Sequence, residues 1–109
     1  MERLIERGLL FDYYGGLLNE KNRRIYEAAA IDDMSLSEIS DEIGISRQAV
    51  SETLKRIDDK LKGYDKELQL ISRARKLEEG IAELKAVSGE DPVDKKRLEE
   101  IINRIEEAI

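Results

Sequence analysis

The clearest pattern of apolar and polar positions in the chain surrounds Gly44. Ile39 and Ile43 lie four residues apart, as on one face of a helix. Ser35 precedes Glu38 by three residues, which is the spacing of a capping box and marks a helix start. Gly44 can end this helix because glycine adopts a left-handed conformation without a Cβ penalty. The pattern predicts a short helix that ends at Gly44.

A second helix is predicted directly after this glycine. Ser46 is a suitable N-cap, and apolar residues follow it at 4-3-4 spacing: Val50, Leu54, Ile57 and Leu61. Ser40, four residues before Gly44, is small enough for two helices to approach closely. Two helices joined by a short turn that contains glycine form the helix-turn-helix unit. The stretch from Ser35 to Lys62 therefore predicts this unit, with an ordinary helical hairpin as the alternative.

A helix over Glu2 to Tyr14 is predicted at the start of the chain. It is apolar over a wide arc, so we expect it to be buried on more than one side. Two glycines follow at positions 15 and 16 and end the helix. Leu17 and Leu18 are then expected to enter the core.

The next predicted helix runs from Glu20 to about Ile31. Asn19 can cap its first turn, and its inward stripe is formed by Ile25, Ala28 and Ala29. Asp32 and Asp33 follow it. We interpret them as formers of the loop that leads into the next helix, rather than as a pair of metal ligands.

Beyond Leu54 the apolar spacing alternates between three and four residues as far as Ile71, which is typical of a heptad stripe. Two successive steps of three then indicate a stammer or a helix break. One long helix or two helices that meet near Gly63 fit this spacing, and we favour a break or bend at Gly63. We also predict a loop over Val87 to Pro92 and a final helix capped by Asp94. The inward stripe of that helix is Leu98, Ile101, Ile102, Ile105 and Ile109.

The predicted fold class is therefore all-α. Four N-terminal helices form a helix-turn-helix domain over residues 1–62, and a helical hairpin forms a C-terminal extension over residues 63–109. The stripes of the hairpin need a partner, which can be the N-terminal helix or a second subunit. The heptad spacing favours a homodimer with the extension as its dimerisation element.

Composition narrows the function. The 109 residues are 40% hydrophobic and 40% charged, with one proline, no cysteine and no histidine. Disulfides, thiolate metal sites and histidine-based catalysis are excluded, and no glycine-rich phosphate loop or carboxylate cluster is present. We expect no enzyme and no cofactor. The chain has neither an apolar run of about 20 residues nor a signal peptide's hydrophobic core, so a cytoplasmic protein without membrane contact is expected.

The charge distribution singles out one helix. The net charge is −6, whereas nucleic-acid binding usually requires a basic patch. Between Ser46 and Lys62, however, five basic residues stand against three acidic ones, a local charge of +2.

The candidate nucleic-acid-binding residues lie on the outward face of the same helix. In helix-turn-helix proteins the start of the second helix enters the major groove. The candidates are Ser46, Arg47, Gln48, Ser51, Lys55 and Arg56. Arg47 can pair with guanine and Gln48 with adenine, and Lys55 and Arg56 suit phosphates. A solvated helix face is the alternative for each of them.

The stretch from Leu17 to Lys62 resembles the YlxM-like helix-turn-helix proteins of bacteria. The similarity rests on FDYYGGLL, LNEK, IDDMSLSEI and GISRQAV followed by KR; the motif is more distantly similar to region 4 of sigma factors. The resemblance implies a small, cytoplasmic, all-helical protein that binds nucleic acid. It also implies an accessory role in the signal recognition particle pathway, because the family's genes commonly neighbour those of its GTPases.

This sequence departs from the family pattern at Ser51, where members often carry tyrosine, and in its more acidic tail. Two functions follow as hypotheses. The first is a regulatory protein that binds double-stranded DNA. The second is a module that binds signal recognition particle components, the GTPase or its RNA, without reading DNA, with Phe11, Tyr13 and Tyr14 as candidate contacts.

Overall fold

The structure, a computed structural model, describes residues 3–109 and contains six α-helices over that range. They are α1 (Arg3–Tyr14), α2 (Glu20–Ala30), α3 (Leu36–Ile43), α4 (Arg47–Leu68), α5 (Leu70–Ser88) and α6 (Lys95–Ala108), with a 3₁₀ turn at Gly15–Leu17. No strand occurs among these residues. The all-α prediction is confirmed. Glu2, the predicted start of the first helix, lies outside the described residues.

The chain forms two compact units, residues 1–69 and residues 70–109, which we call the N-terminal unit and the C-terminal unit. The N-terminal unit packs α1 and α2 against α4, and α3 against α2 and α4. Its core is formed by residues that are almost fully buried: Leu10, Tyr14, Ile25, Tyr26, Ile39, Val50, Leu54, Ile57 and Leu61. The predicted 4-3-4 stripe of α4 is therefore the part of this helix that faces the core.

Helix α1 is buried on one side only, which corrects the expectation of a wide buried arc. Leu10 and Tyr14 are buried, whereas Ile5 and Tyr13 are 54% and 39% exposed. Leu18 enters the core as expected, but Leu17 is 58% exposed. An apolar arc wider than the contact with α2 and α4 leaves its outer residues on the surface.

The predicted break near Gly63 is wrong. Helix α4 passes through Gly63 and ends at Leu68, where Gln69 takes a left-handed conformation with φ 55°. The Gln69 N–H donates to the carbonyl of Asp65 at 2.7 Å and closes the last turn. Gly63 lies on the exposed side of α4, so the helix interior tolerates it at a cost of up to about 1 kcal/mol relative to alanine.

The C-terminal unit is the predicted helical hairpin, formed by α5 and α6. Val87, Ile101 and Ala108 are buried between the two helices. Gly80 allows the close approach, since a Cβ at this position would lie 2.5 Å from Cγ1 of Ile105. Asp94 caps α6, as expected, by accepting from two backbone N–H groups.

Two details of this unit differ from the prediction. The loop begins after Ser88 rather than at Val87, whose side chain is completely buried. Within the expected inward stripe of α6, Ile102 and Ile109 are exposed. A single partner helix covers only part of the stripe, because apolar positions at 3-4 spacing span more than one contact face.

Candidate nucleic-acid interface

Both helices of the helix-turn-helix unit, α3 and α4, begin at a side-chain cap. The Ser35 hydroxyl accepts from the N–H of Glu38, and the Glu38 carboxylate accepts from the N–H of Ser35, both at 3.1 Å. Gly44 adopts φ 83° in the left-handed region. The Ser46 hydroxyl then accepts from the N–H of Ala49 at 3.0 Å and begins α4. The capping box, the glycine turn and the second cap are confirmed.

Ser40 has a larger role than its small size indicated. Its hydroxyl donates a hydrogen bond to the carbonyl of Ile45 inside the turn, so it ties α3 to the residue that leads into α4. The hydrogen bond donated by Ser40 and the cap at Ser46 thus position the first turn of α4. A surface held in this way can present side chains without first having to order its backbone.

All six predicted binding residues are exposed, and five of them extend along the first ten residues of α4. With Val50 and Leu54 buried, the 100° rotation per residue turns Gln48, Glu52 and Lys55 directly away from the core. Arg56 lies on the flank beyond Glu52. Gln48 donates through Nε2 to the Glu52 carboxylate at 3.3 Å. The amide of Gln48 is therefore oriented along the exposed row.

Ser51 lies on the other flank of α4, beside a groove of about 390 Å³. The walls of this groove come from α1, the loop before α3, and α4, and include Arg3, Arg7, Ser35 and Leu36. Ser51 is therefore set apart from the row formed by Gln48 and Lys55. The hydroxyl of Ser46 is occupied as an acceptor by the cap but keeps its own proton to donate.

The positive charge of α4 is available at its surface. Asp58 is paired with Arg7 at 2.8 Å, and Lys62 with Glu6 at 3.2 Å. Arg47, Lys55 and Arg56 make no ion pair with any residue of the described range 3–109. Among the exposed groups between Ser46 and Lys62 that lie outside these two ion pairs, four cations remain against two carboxylates. The local charge is still +2 after the paired groups are removed.

A buried polar cluster joins α1 and α2 to α4 behind this surface. The Asp58 carboxylate accepts from Nε of Arg7 at 3.0 Å and from the Tyr26 hydroxyl at 2.7 Å. The side chains of Arg7 and Asp58 are only 15% and 10% exposed, and Tyr26 is fully buried. Closer to the end of α4, the Tyr14 hydroxyl donates to Asp65 at 2.6 Å. Two helices are thus anchored to α4 through its carboxylates.

The pKa values of the cluster follow from these contacts. Burial opposes ionisation of Asp58, but the hydrogen bonds from Arg7 and Tyr26 outweigh it and lower the pKa of this carboxyl. Burial, and then the bond to the Asp58 carboxylate, raise the pKa of Tyr26 strongly. The bond to Asp58 also raises the pKa of Arg7. Asp58 is therefore an ion at neutral pH and Tyr26 a neutral donor.

Sequence reasoning treated Asp58 as an ordinary surface charge and left Tyr26 out of the inward stripe of α2. One signal was present, because Asp58 lies four residues after Leu54 and three before Leu61, on the apolar side of α4. A carboxylate at such a position needs a partner.

The start of α4 offers exposed hydrogen-bond donors and cations. Within residues 3–109, no three carboxylates come together as a metal site. None of the helices in that part of the chain is both long and apolar enough to cross a membrane. The exposed donors and cations of α4 are groups that can bind an anionic or polar surface.

Comparison with known proteins agrees with this architecture. Residues 1–108 match a family model described as "Putative helix-turn-helix protein, YlxM / p13 like". A UPF0122 protein of Thermoanaerobacter sp. strain X514 is 41% identical over 106 residues, which covers 91% of this chain and 90% of the relative. A UPF0122 protein of Bacillus cereus strain AH187 is 31% identical over 106 residues, covering 97% and 96%. The chain belongs to the UPF0122 family of YlxM/p13-like helix-turn-helix proteins.

Proposed function

We propose that the protein is a DNA-binding regulatory protein whose α4 enters the major groove of double-stranded DNA. The observation that carries the proposal is the exposed, unpaired and locally positive start of α4. It lies at the position that contacts bases in helix-turn-helix proteins. The caps at Ser35 and Ser46 hold it in place.

Each candidate residue has a distinct part in this proposal. Arg47 pairs with guanine, and Gln48 pairs with adenine once it exchanges its bond to Glu52 for one to the base. Lys55 and Arg56 contact phosphates, which set the register of the helix on the duplex. Ser46 donates its hydroxyl to a phosphate at the N-terminus of α4. Ser51, on the flank, contacts the backbone or lies outside the interface.

The paired substitution Arg47→Ala and Gln48→Ala tests the reading surface. Each lost bidentate contact removes about 1–3 kcal/mol of discrimination, so a sequence-selective gel shift should disappear. Lys66→Ala is the matched control, because it removes one exposed cation from the same helix about 28 Å further along the axis. If the double variant binds and discriminates like the wild type, this surface does not read DNA.

The second candidate is a module that binds signal recognition particle components, the GTPase or its RNA. Two observations favour it. The net charge of −6 opposes binding to bare nucleic acid. Apolar residues are also exposed on α1, at Ile5 and Tyr13, and in the 3₁₀ turn after it, at Leu17.

We also propose a cytoplasmic homodimer. Two helix-turn-helix units related by a two-fold axis bind two half-sites when their second helices are about 34 Å apart, one turn of DNA. Support comes from the apolar residues Leu77, Ile81 and Leu84 of α5, which follow one another at steps of four and three, and from the exposed apolar residues of the C-terminal unit.

A further inference from the structure

The C-terminal unit has an apolar side that neither α5 nor α6 covers. On α5, apolar residues recur at 3-4 spacing at Leu77, Ile81 and Leu84. On α6 they recur at Leu98 and Ile102, and Ile109 follows the end of this helix. Ile81, Ile102 and Ile109 are 49%, 40% and 79% exposed. A hairpin of 40 residues has too little interior to be stable alone. Its open face therefore needs a further layer.

The opposite side of the same hairpin is polar. Lys76, Glu79, Arg104 and Glu107 line a shallow groove there, and Arg104 is paired with Glu83. These residues lie on the side of Gly80 that faces away from Ile81. Ile81 of α5 and Ile102 of α6 therefore lie together on the opposite face of the hairpin. The hairpin is thus amphipathic as a unit, and only one of its sides is suited to burial.

One acidic and one basic residue flank Ile81 at the edge of the apolar face. Glu78 lies three residues before Ile81 and Lys85 four residues after it, both exposed on the side away from α6. Neither side chain forms an ion pair within the described part of the chain. When two copies of α5 run antiparallel across a two-fold axis at Ile81, each Glu78 comes opposite the other copy's Lys85. In coiled coils, charge pairs at such flanking positions decide the orientation of the helices.

The matching edge of α6 does not have this property. The exposed residues beside Ile102 on that edge include Glu99 and Glu106, and two copies of α6 brought together at an axis would place these carboxylates against each other. Charge therefore selects α5 as the helix at the axis and leaves α6 to flank it.

We propose that the face around Ile81 docks a second copy of this chain. The two α5 helices pack antiparallel about a two-fold axis, with Ile81 at the centre and two Glu78–Lys85 pairs at the edges. The two hairpins together form a four-helix layer that buries the exposed isoleucines. This rests on the homodimer proposed above and names the surface that forms it.

Sedimentation equilibrium on the full chain tests the surface. The wild type should have twice the 12.5 kDa chain mass. Ile81→Glu should be monomeric with unchanged helix content by circular dichroism, because in a dimer it would bury two unpaired carboxylates, one from each copy, at the centre of the interface. Lys76→Glu on the polar side of α5 is the matched control and should remain dimeric.

Charge reversal gives a second test, which leaves Ile81 at the centre of the interface unchanged. Glu78→Lys and Lys85→Glu, made singly, should each weaken the dimer about tenfold, since attractive pairs become repulsive ones. The double variant restores opposite charges and should regain wild-type affinity. A monomeric wild type would overturn the homodimer and the surface together. A dimer that Ile81→Glu leaves intact, or single reversals that the double variant does not rescue, would overturn this surface alone.

Discussion

Asp58 links three helices of the N-terminal unit, because its carboxylate accepts from Arg7 of α1 and from Tyr26 of α2. Replacing it with asparagine leaves the guanidinium of Arg7 buried without its counter-ion. We expect a loss of about 3 kcal/mol in the free energy of unfolding at neutral pH. Tyr26→Phe, which removes one hydrogen bond and no charge, should cost about 1 kcal/mol. Urea denaturation followed by circular dichroism measures both.

The same substitution has a defined pH dependence. The pKa of Asp58 is lower in the folded protein than in the unfolded chain, so its ionised form stabilises the fold above about pH 4. That stability is lost as the pH falls through the folded pKa. The difference in the free energy of unfolding between the wild type and Asp58→Asn should therefore be largest near neutral pH and should decrease towards zero as the pH falls. A difference that stays constant from neutral to acidic pH would show that the charge of Asp58 does not stabilise the fold.

Single residues differ in how far the sequence reveals them. The caps at Ser35 and Ser46 were predictable because each acts on a backbone N–H three residues away. The partners of Asp58 lie 51 and 32 residues away in the chain, so no local spacing points to them. The buried position of Asp58 could be predicted, but Arg7 and Tyr26 could be identified only from the packing of α1 and α2 on α4.

Alanine substitutions at two glycines of the N-terminal unit should change its stability in opposite directions. Gly63 lies within α4, and a Cβ there would meet no other atom within 4 Å. Gly63→Ala should therefore raise the free energy of unfolding by up to about 1 kcal/mol through helix propensity. Gly44→Ala should lower it by about 1–2 kcal/mol, because its φ of 83° is left-handed.

These two variants serve as controls for each other, since both add one methyl group to the same unit. Equilibrium denaturation compares them directly. Destabilisation by Gly63→Ala would contradict a helix that runs unbroken through that position.

The end of α4 shows why element boundaries were harder to predict than elements. Glycine is the residue expected at a break, yet α4 continues through Gly63 and ends at Gln69. The free energy that one glycine costs a helix is small compared with the free energy gained by burying Leu54, Ile57 and Leu61 on the same helix. The apolar stripe therefore decides that the helix exists, while the position of its end depends on contacts that local sequence does not specify.

For the whole molecule, apolar periodicity predicted which faces are hydrophobic but not which ones are covered. Leu10 and Ile5 belong to the same apolar arc of α1, and only Leu10 is buried. Ile101 and Ile102 are neighbours on α6, and only Ile101 is buried. Coverage depends on where the other helices lie, which is a property of the assembled unit. The exposed remainder supplies the surfaces available to a second copy and to other partners.

The charge of the whole molecule makes salt dependence the decisive measurement between the two proposed functions. A chain with net charge −6 binds DNA only through local cations, and Arg47, Lys55 and Arg56 are the candidates. Each neutralised phosphate contributes about −0.9 to the slope of log K against log salt, so the phosphate contacts of Lys55 and Arg56 give about −1.8 per chain and about −3.6 per dimer. Titrations of duplex DNA at several salt concentrations measure this slope.

The monomeric form expected for Ile81→Glu provides the control, because it retains all three cations and should show about half the slope of the dimer. Removing Lys55 and Arg56 together should reduce the slope by about 1.8 per chain while leaving sequence preference in place. A slope near zero would contradict DNA binding through α4. If the chain instead captures the signal recognition particle GTPase with little dependence on salt, binding to protein is its function, and the positive start of α4 is a solvated surface.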